Sequence, residues 1–249
     1  MSIIEALLQS LHTDALVRQV LVGAFWTAVV LDTDPPRCGL ASTLRGATHD
    51  EGPPVPRAGR LLERSGRELA GWLRSSSTLE ASIGMAAVNG LLEVDETACT
   101  EVNADRVILD RGTGRRVAIV GHFPFTERVK QAAAECWVLE LHPRLGDVPA
   151  DQAGEVLPQA DVIALTGTSL INHTFDGLIR LCRPDAFVLL LGPSAPLSSV
   201  VFDAGVDGVS GTLVTDPERV LRSVGQGATF RQIKRAGGLR LLTYVKSKA

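Results

Sequence analysis

The sequence is defined first by what it lacks. It has four cysteines, Cys38, Cys99, Cys136 and Cys182, and no Cys-x-x-Cys pair. That excludes zinc-knuckle and thioredoxin-type spacing. Its longest apolar stretch, Leu21 to Leu31, is broken by Gly23 and Thr27, well short of the ~20 apolar residues a membrane-spanning helix needs. The opening Met1-Ser2-Ile3-Ile4-Glu5 has no basic region of the kind that starts a secretion signal. Scattered cysteines without such a signal read as reduced thiols, so a cytoplasmic location is expected. A net charge of -3 lacks the basic excess of a nucleic-acid binder. Neither a nucleic-acid nor a membrane partner is therefore expected. No G-x-G-x-x-G or G-x-x-x-x-G-K-[ST] run is present, nor any His-x-x-x-His or His-Glu-x-x-His pattern. Ser194 lacks the G-x-S-x-G setting of a hydrolase nucleophile. No catalytic residue is assigned.

What is present suffices for a sizeable core: 249 residues, 45% apolar and 21% charged. Ile3, Leu7, Leu8 and Leu11 recur at helical spacing. Val17–Val22 and Phe25–Leu31 read as two strands, or one bent strand, of an antiparallel sheet, Cys38–Leu44 as a returning strand, and Thr48–Gly59 as a loop punctuated by prolines. Helices follow near Arg67–Arg74 and Thr78–Glu93, an α+β order. From Arg116 the texture alternates. Strands at 116–120, 136–141, 161–166, 186–191 and 208–214 are separated by helices at 126–134, 151–157, 169–181, 197–204 and 217–224. Runs such as Val162–Leu165 and Phe187–Leu191 are apolar on both faces, as in a parallel sheet covered on both sides. The expectation is a small α+β unit followed by a Rossmann-like, doubly wound, mostly parallel α/β unit, with a boundary between Asp95 and Arg115. From Val220 onward there are seven Lys/Arg and no acid, which reads as a solvated basic tail.

In an open α/β sheet, ligands bind beyond the carboxyl ends of the strands. Those ends carry Gly121-His122-Phe123-Pro124, Glu140 with His142 and Asp147, Thr166-Gly167-Thr168 running to Asn172 and His173, and Gly192-Pro193-Ser194. Glu140 lies 19 residues after Gly121, the spacing of an acid that grips a ribose diol in nucleotide and adenosyl-cofactor enzymes. Thr168 reads as a helix N-cap, and the N–H groups around it as a seat for an anion. His122 and His173 could converge and, with Glu140, His142 or Asp147, form a mixed N/O metal site; acid–base work by a histidine is equally open. Ser77-Thr78-Leu79-Glu80 matches a capping box. Glu80, Gly84, Ala87 and Leu91 share one helix stripe, which would bring Glu80 near an interface.

Six segments together resemble a known family: Gly23–Val29, Gly39–Thr43, Leu79–Asn89, Val120–Pro124, Thr166–Thr174 and Leu191–Leu197. It is the heavy-metal chelation family, built from an enolase amino-terminal-like domain followed by a Rossmann-like domain. The resemblance implies the first domain at residues 1–105 and the second at 106–249, with a site in the cleft between them. It implies binding of a small anionic ligand, a transition metal or a metal chelate. Carried onto this sequence, the ligand-binding candidates are Glu80, Asn89, Gly121, His122, Phe123, Glu140, Thr166, Gly167, Thr168, Asn172, Gly192 and Ser194; the metal candidates are His122, His173 and Glu140. Two positions depart from the family pattern: Thr78 stands where Asn is common, and His142 where the strand-end motif more often has Asn. An enzyme holding an adenosyl or nucleotide cofactor is the alternative, and a homodimer is left open.

Overall fold

The structure, a computed structural model, describes residues 1–46 and 55–246. The loop expected at Thr48–Gly59 lies outside the described residues at 48–54 and is a turn from Val55 to Gly59.

Helix α1 (Ile3–Gln9) starts where Ser2 Oγ accepts the Glu5 N–H, and it buries Ile3, Leu7 and Leu8. Strands β1 (Val17–Val22), β2 (Trp26–Leu31) and β3 (Arg37–Ser42) form an antiparallel meander in that order. Strand β2 is apolar on both faces because both are covered. Val29 and Leu31 join the core shared with α3 (Thr78–Leu91), which follows α2 (Gly66–Ala70) and a 3-10 turn at Gly71–Arg74. Ala28 and Val30 pack instead against Val220, Val224 and Ile233 from the far end of the chain. Helix α3 is buried along nearly its whole length, which explains why its small residues fall on every side. At Gly39 a Cβ would stand 1.9 Å from the Ala86 carbonyl oxygen, so only glycine lets β3 lie directly on α3.

Helix α4 (Ala104–Gly112) was not expected: the sequence reading left 95–115 as a boundary. Ile108 is its one fully buried large side chain, so no apolar stripe announces it. Then come β4 (Arg116–Val120), α5 (Thr126–Ala132), β5 (Glu135–Glu140), β6 (Val148–Pro149), α6 (Ala153–Val156) and β7 (Val162–Thr166). They are followed by α7 (Thr168–Ile171), α8 (Phe175–Leu181), β8 (Phe187–Leu191), α9 (Val200–Asp203) and β9 (Gly208–Val214). Last are α10 (Pro217–Gly225), α11 (Phe230–Ala236) and β10 (Leu239–Val245).

The seven-stranded sheet has the order β10-β9-β8-β7-β4-β5-β6, with β4 to β9 parallel and β10 antiparallel to β9. Alternate residues sort to opposite faces. Val117, Ile119, Val138, Val162 and Ala164 pack with Ile108 and Val129 of α4 and α5. Ala118, Leu139, Ile163, Leu165 and Val188 pack with Val156, Phe175 and Val201 on the other side. The chain is thus a mixed α/β fold: a doubly wound, mostly parallel sheet plus a small antiparallel one. Strand order reverses between β4 and β7, which opens a crevice at their carboxyl ends.

Two expectations are corrected. The helix expected at 169–181 is two helices, broken at His173, whose φ is +60°. Asn172 Oδ1 accepts the Thr174 hydroxyl at 2.7 Å and its N–H at 3.3 Å, in competition with helix hydrogen bonds. The basic carboxyl-terminal segment is not a solvated tail, at least to residue 246. It supplies α11 and the edge strand β10, where Arg240 pairs with Glu96 and Glu101.

Candidate functional site

The carboxyl ends of the parallel strands open into one cavity of about 1080 Å³. Gly121, at the end of β4, has φ +101°, a conformation open to glycine, and it turns the chain so that His122 and Phe123 enter the wall. The Phe123 ring lies over the glycines closing two strands: a Cβ on Gly121 would meet it at 3.7 Å and one on Gly192 at 3.9 Å. Phe123 stacks on Phe125 with centroids 5.2 Å apart. An aromatic ring therefore covers the switch point, where a dinucleotide fold keeps bare backbone for pyrophosphate.

His122 is held between two carboxylates. Its Nδ1 lies 2.7 Å from Glu140 Oε1, at the end of β5, and its Nε2 lies 3.3 Å from Asp147 Oδ2, just before β6. The Asp147 side chain is 3% exposed and also accepts the Arg144 N–H at 2.8 Å. A neutral imidazole carries one N–H and can donate to only one of the two; the imidazolium can donate to both. The two ring nitrogens point away from each other, so Glu140 and Asp147 cannot share one ion with His122. Consistent with that, no three His, Cys, Asp or Glu side chains converge as a ready metal site among the described residues.

The loop after β7 is arranged around hydroxyls. Thr166 Oγ1 and Thr168 Oγ1 lie 2.9 Å apart, and Thr166 Oγ1 accepts the Thr168 N–H at 3.3 Å. Gly167, not Thr168, is the N-cap of α7, which has only four residues. The anion seat expected there loses its basis, because a single turn contributes little dipole. Ser194 is a strut: its Oγ accepts the Ser42 N–H at 2.9 Å and donates to Ser42 Oγ at 3.1 Å, joining the loop after β8 to β3.

Of the residues singled out from the sequence, Gly121, His122, Phe123, Glu140, Thr166, Gly167, Thr168, Asn172, Gly192 and Ser194 line this one cavity. Glu80 and Asn89 do not. The Glu80 carboxylate accepts the Ser75 hydroxyl, and its N–H is capped by Ser77. Gly84 of the same stripe packs on Trp72 and Leu73 of the 3-10 turn, not on the parallel sheet. Asn89 Nδ2 donates to the carbonyls of Leu40 and Pro193, at 2.9 and 3.3 Å, and so ties three elements together. His173 does not converge with His122; its Nε2 pairs with the Leu73 carbonyl at 2.8 Å. His142 is exposed, and Thr78 donates to the Leu44 carbonyl, so neither family-variant position lines the cavity.

The sequence reading missed the opposite wall. Trp26, Asn103, Asp105, Phe125, Arg128, Phe230, Arg231, Lys234, Leu241 and Leu242 also line the cavity. Arg128 is ion-paired to Asp105. Aromatics make up 4% of the chain, yet Trp26, Phe123, Phe125 and Phe230 all face this space. The i, i+3 pair Arg231 and Lys234 was the available signal, hidden by treating the segment as tail. The cysteines are elsewhere, and burial pushes their thiols up: Cys38 to about 12, Cys136 and Cys182 to about 11, and Cys99 upward with the help of Asp95 and Glu96. None offers a ready thiolate.

Comparison with known proteins places this geometry in a family. Residues 103–243 match the DUF364 family and residues 4–92 the DUF4213 family, both described as "Putative heavy-metal chelation". "Uncharacterized protein MJ0500" of Methanocaldococcus jannaschii is 25% identical over 154 residues; the match takes in 59% of this chain and 60% of that protein's length. A crystal structure of a DUF364-family protein of unknown function from Desulfitobacterium hafniense is 27% identical, with a TM-score of 0.83 over 98% of both chains. Another from Pyrococcus horikoshii, at 20% identity, shares the fold with a TM-score of 0.82 over 98% of both chains. No helix among the described residues is long and apolar enough to cross a membrane. The DUF364 match alone spans more than half of the sequence, and the chain belongs to that family, whose description is "Putative heavy-metal chelation".

Proposed function

We propose that the chain binds a metal chelate, a small anionic molecule carrying its own metal ion, in the cavity at the carboxyl ends of β4, β5, β7 and β8. The observation that carries this reading is His122, which lines the cavity with Glu140 and has the nearly buried Asp147 behind it. A histidine that ligates metal commonly donates its other N–H to a carboxylate, which fixes the ring. Glu140 supplies that partner at Nδ1. On the other side, Nε2 and Asp147 Oδ2 stand 3.3 Å apart, close to the ~3.3 Å edge of a tetrahedral site with ~2.0–2.1 Å bonds. Two protein donors do not complete a coordination shell. That incompleteness fits a metal that arrives with ligands of its own better than a bare ion. It also fits hard or borderline metals, since the cysteines are dispersed and burial raises their thiols.

The test is isothermal titration with zinc alone and with nickel nitrilotriacetate, on wild type and His122→Ala. The proposal expects tighter binding of the chelate than of the bare ion, and loss of it in the variant. Equal binding by wild type and variant overturns it.

One observation supports a second reading, a cofactor-using enzyme. Glu140 ends the strand beside β4, where a ribose-binding acid sits in doubly wound folds, and only its Oε1 is engaged by His122. Thermal stabilisation by S-adenosylmethionine or a nucleotide, with none by nickel nitrilotriacetate, would favour it.

A further inference from the structure

We infer that the far end of the cavity, formed by α11, β10 and Trp26, is a second subsite that takes a flat ring bearing an anionic group. The inference extends the ligand reading above and stands on different residues. The cavity reaches from Glu140 on β5 to Leu241 and Leu242 on β10. Those strands are five steps apart in the sheet, about 24 Å at ~4.8 Å per step. A volume of about 1080 Å³ over that length is a slot, suited to an extended ligand rather than a compact one.

The two ends of the slot differ in chemistry. The β5 end holds His122 with its carboxylates. The α11 end holds Arg231 and Lys234, one helical turn apart on one face. Neither has an acidic partner among the described residues. The nearest lining acid on this side, Asp105, is taken by Arg128, and Lys234 Nζ meets only the Asn103 side-chain oxygen at 3.3 Å. Beside these cations, Trp26 and Phe230 present rings 5.4 Å apart and tilted 53° to each other, and Leu241 and Leu242 of β10 also line this end. Trp26 gives part of its ring to this end, while its Nε1 is covered by protein and has no acceptor among the described residues. Apolar rings beside two cations that lack acidic partners describe an aromatic anion: the ring against Trp26 and Phe230, its anionic oxygens on Arg231 and Lys234.

The probes are 8-anilinonaphthalene-1-sulfonate and its uncharged analogue N-phenyl-1-naphthylamine, titrated by fluorescence. Wild type should prefer the sulfonate by about tenfold, the scale of one or two charge-assisted hydrogen bonds. Arg231→Gln with Lys234→Gln, both at exposed positions, should erase that preference while still binding the neutral dye. His122→Ala should leave sulfonate binding unchanged, which separates failure of this subsite from failure of the metal reading. Displacement by benzoate would mark a carboxylate ligand, and displacement by phenyl phosphate a phosphoryl one. The inference is overturned if neither competes, or if the double glutamine variant keeps the wild-type preference.

Discussion

Ser194 and Ser42 meet hydroxyl to backbone at 2.9 Å across 152 positions of sequence. Ser194 is 1% exposed and Ser42 half-buried, and the bond fixes the loop after β8 against β3. Ser194→Ala leaves the Ser42 N–H unpaired, at a cost of about 1–3 kcal/mol. Thermal denaturation should show a fall of several degrees in Tm. An unchanged Tm would mean that the two segments are held by packing alone.

Glu140 is expected to act through His122. Glu140→Gln keeps the shape but weakens the hold on Nδ1, and chelate affinity should fall about 10- to 100-fold, the range typical of such supporting carboxylates. Denaturant unfolding should scarcely change, because the Glu140 side chain is partly exposed. A large loss of stability with affinity intact would assign Glu140 to the fold instead.

Two glycines predict opposite outcomes. Gly39→Ala forces a Cβ to within 1.9 Å of the Ala86 oxygen and 2.3 Å of the Gly90 nitrogen, both backbone atoms that cannot turn aside. A loss of about 3 kcal/mol or more is expected. Gly154→Ala meets nothing within 4 Å and should be neutral or slightly stabilising in its helix. Paired urea titrations decide this; equal midpoints would contradict the close contact of β3 with α3.

Asp161 gives the acid limb of stability. Hydrogen bonds from the Arg116 side chain and backbone, with Arg183 adding to them, hold its carboxyl down to about 2, below the ~3.9 of an unfolded aspartate. A folded value lower than the unfolded one stabilises the protein above pH ~4, and that contribution disappears as pH falls from ~4 through about 2. Wild type should therefore lose stability more steeply across that window than Asp161→Asn. Parallel slopes would show that the ion pairs do not depend on folding.

The buried thiols predict chemical silence. With Cys136 and Cys182 at about 11, the thiolate fraction at pH 8 is about a hundredfold below that of a free cysteine. Ellman's reagent should react far more slowly with the native protein than with the urea-unfolded chain. Rapid native labelling would reopen a thiolate route to soft metals.

The sequence was most legible where one physical cause dominates. Continuous apolar runs marked β4, β7 and β8 to within about a residue, because both faces of those strands are buried. The strand-end rule then gathered Gly121, His122, Glu140 and Thr166 around one space. It failed where partners come from distant chain. Nothing local says that Ile233 and Val220 will cover Ala28 and Val30, or that Arg240 will find Glu96 and Glu101. His173 looked like a ligand beside His122, but a break at Asn172 sent its ring to the Leu73 carbonyl.

Thr100 and Thr243 form a bridge between distant parts of the chain. Thr100 exchanges both backbone hydrogen bonds with Thr243, each 2.8 Å, while Thr243 Oγ1 reaches the Val102 carbonyl at 2.7 Å and Ser210 Oγ at 2.7 Å. The segment joining α3 to α4 is thus stitched to the edge strand of the large sheet. Moving that segment away from β10 would break the bridge while leaving the pairing of β10 with β9 intact. Thr100, Val102, Ser210 and Thr243 are thus one cooperative patch, whose bonds form or break together.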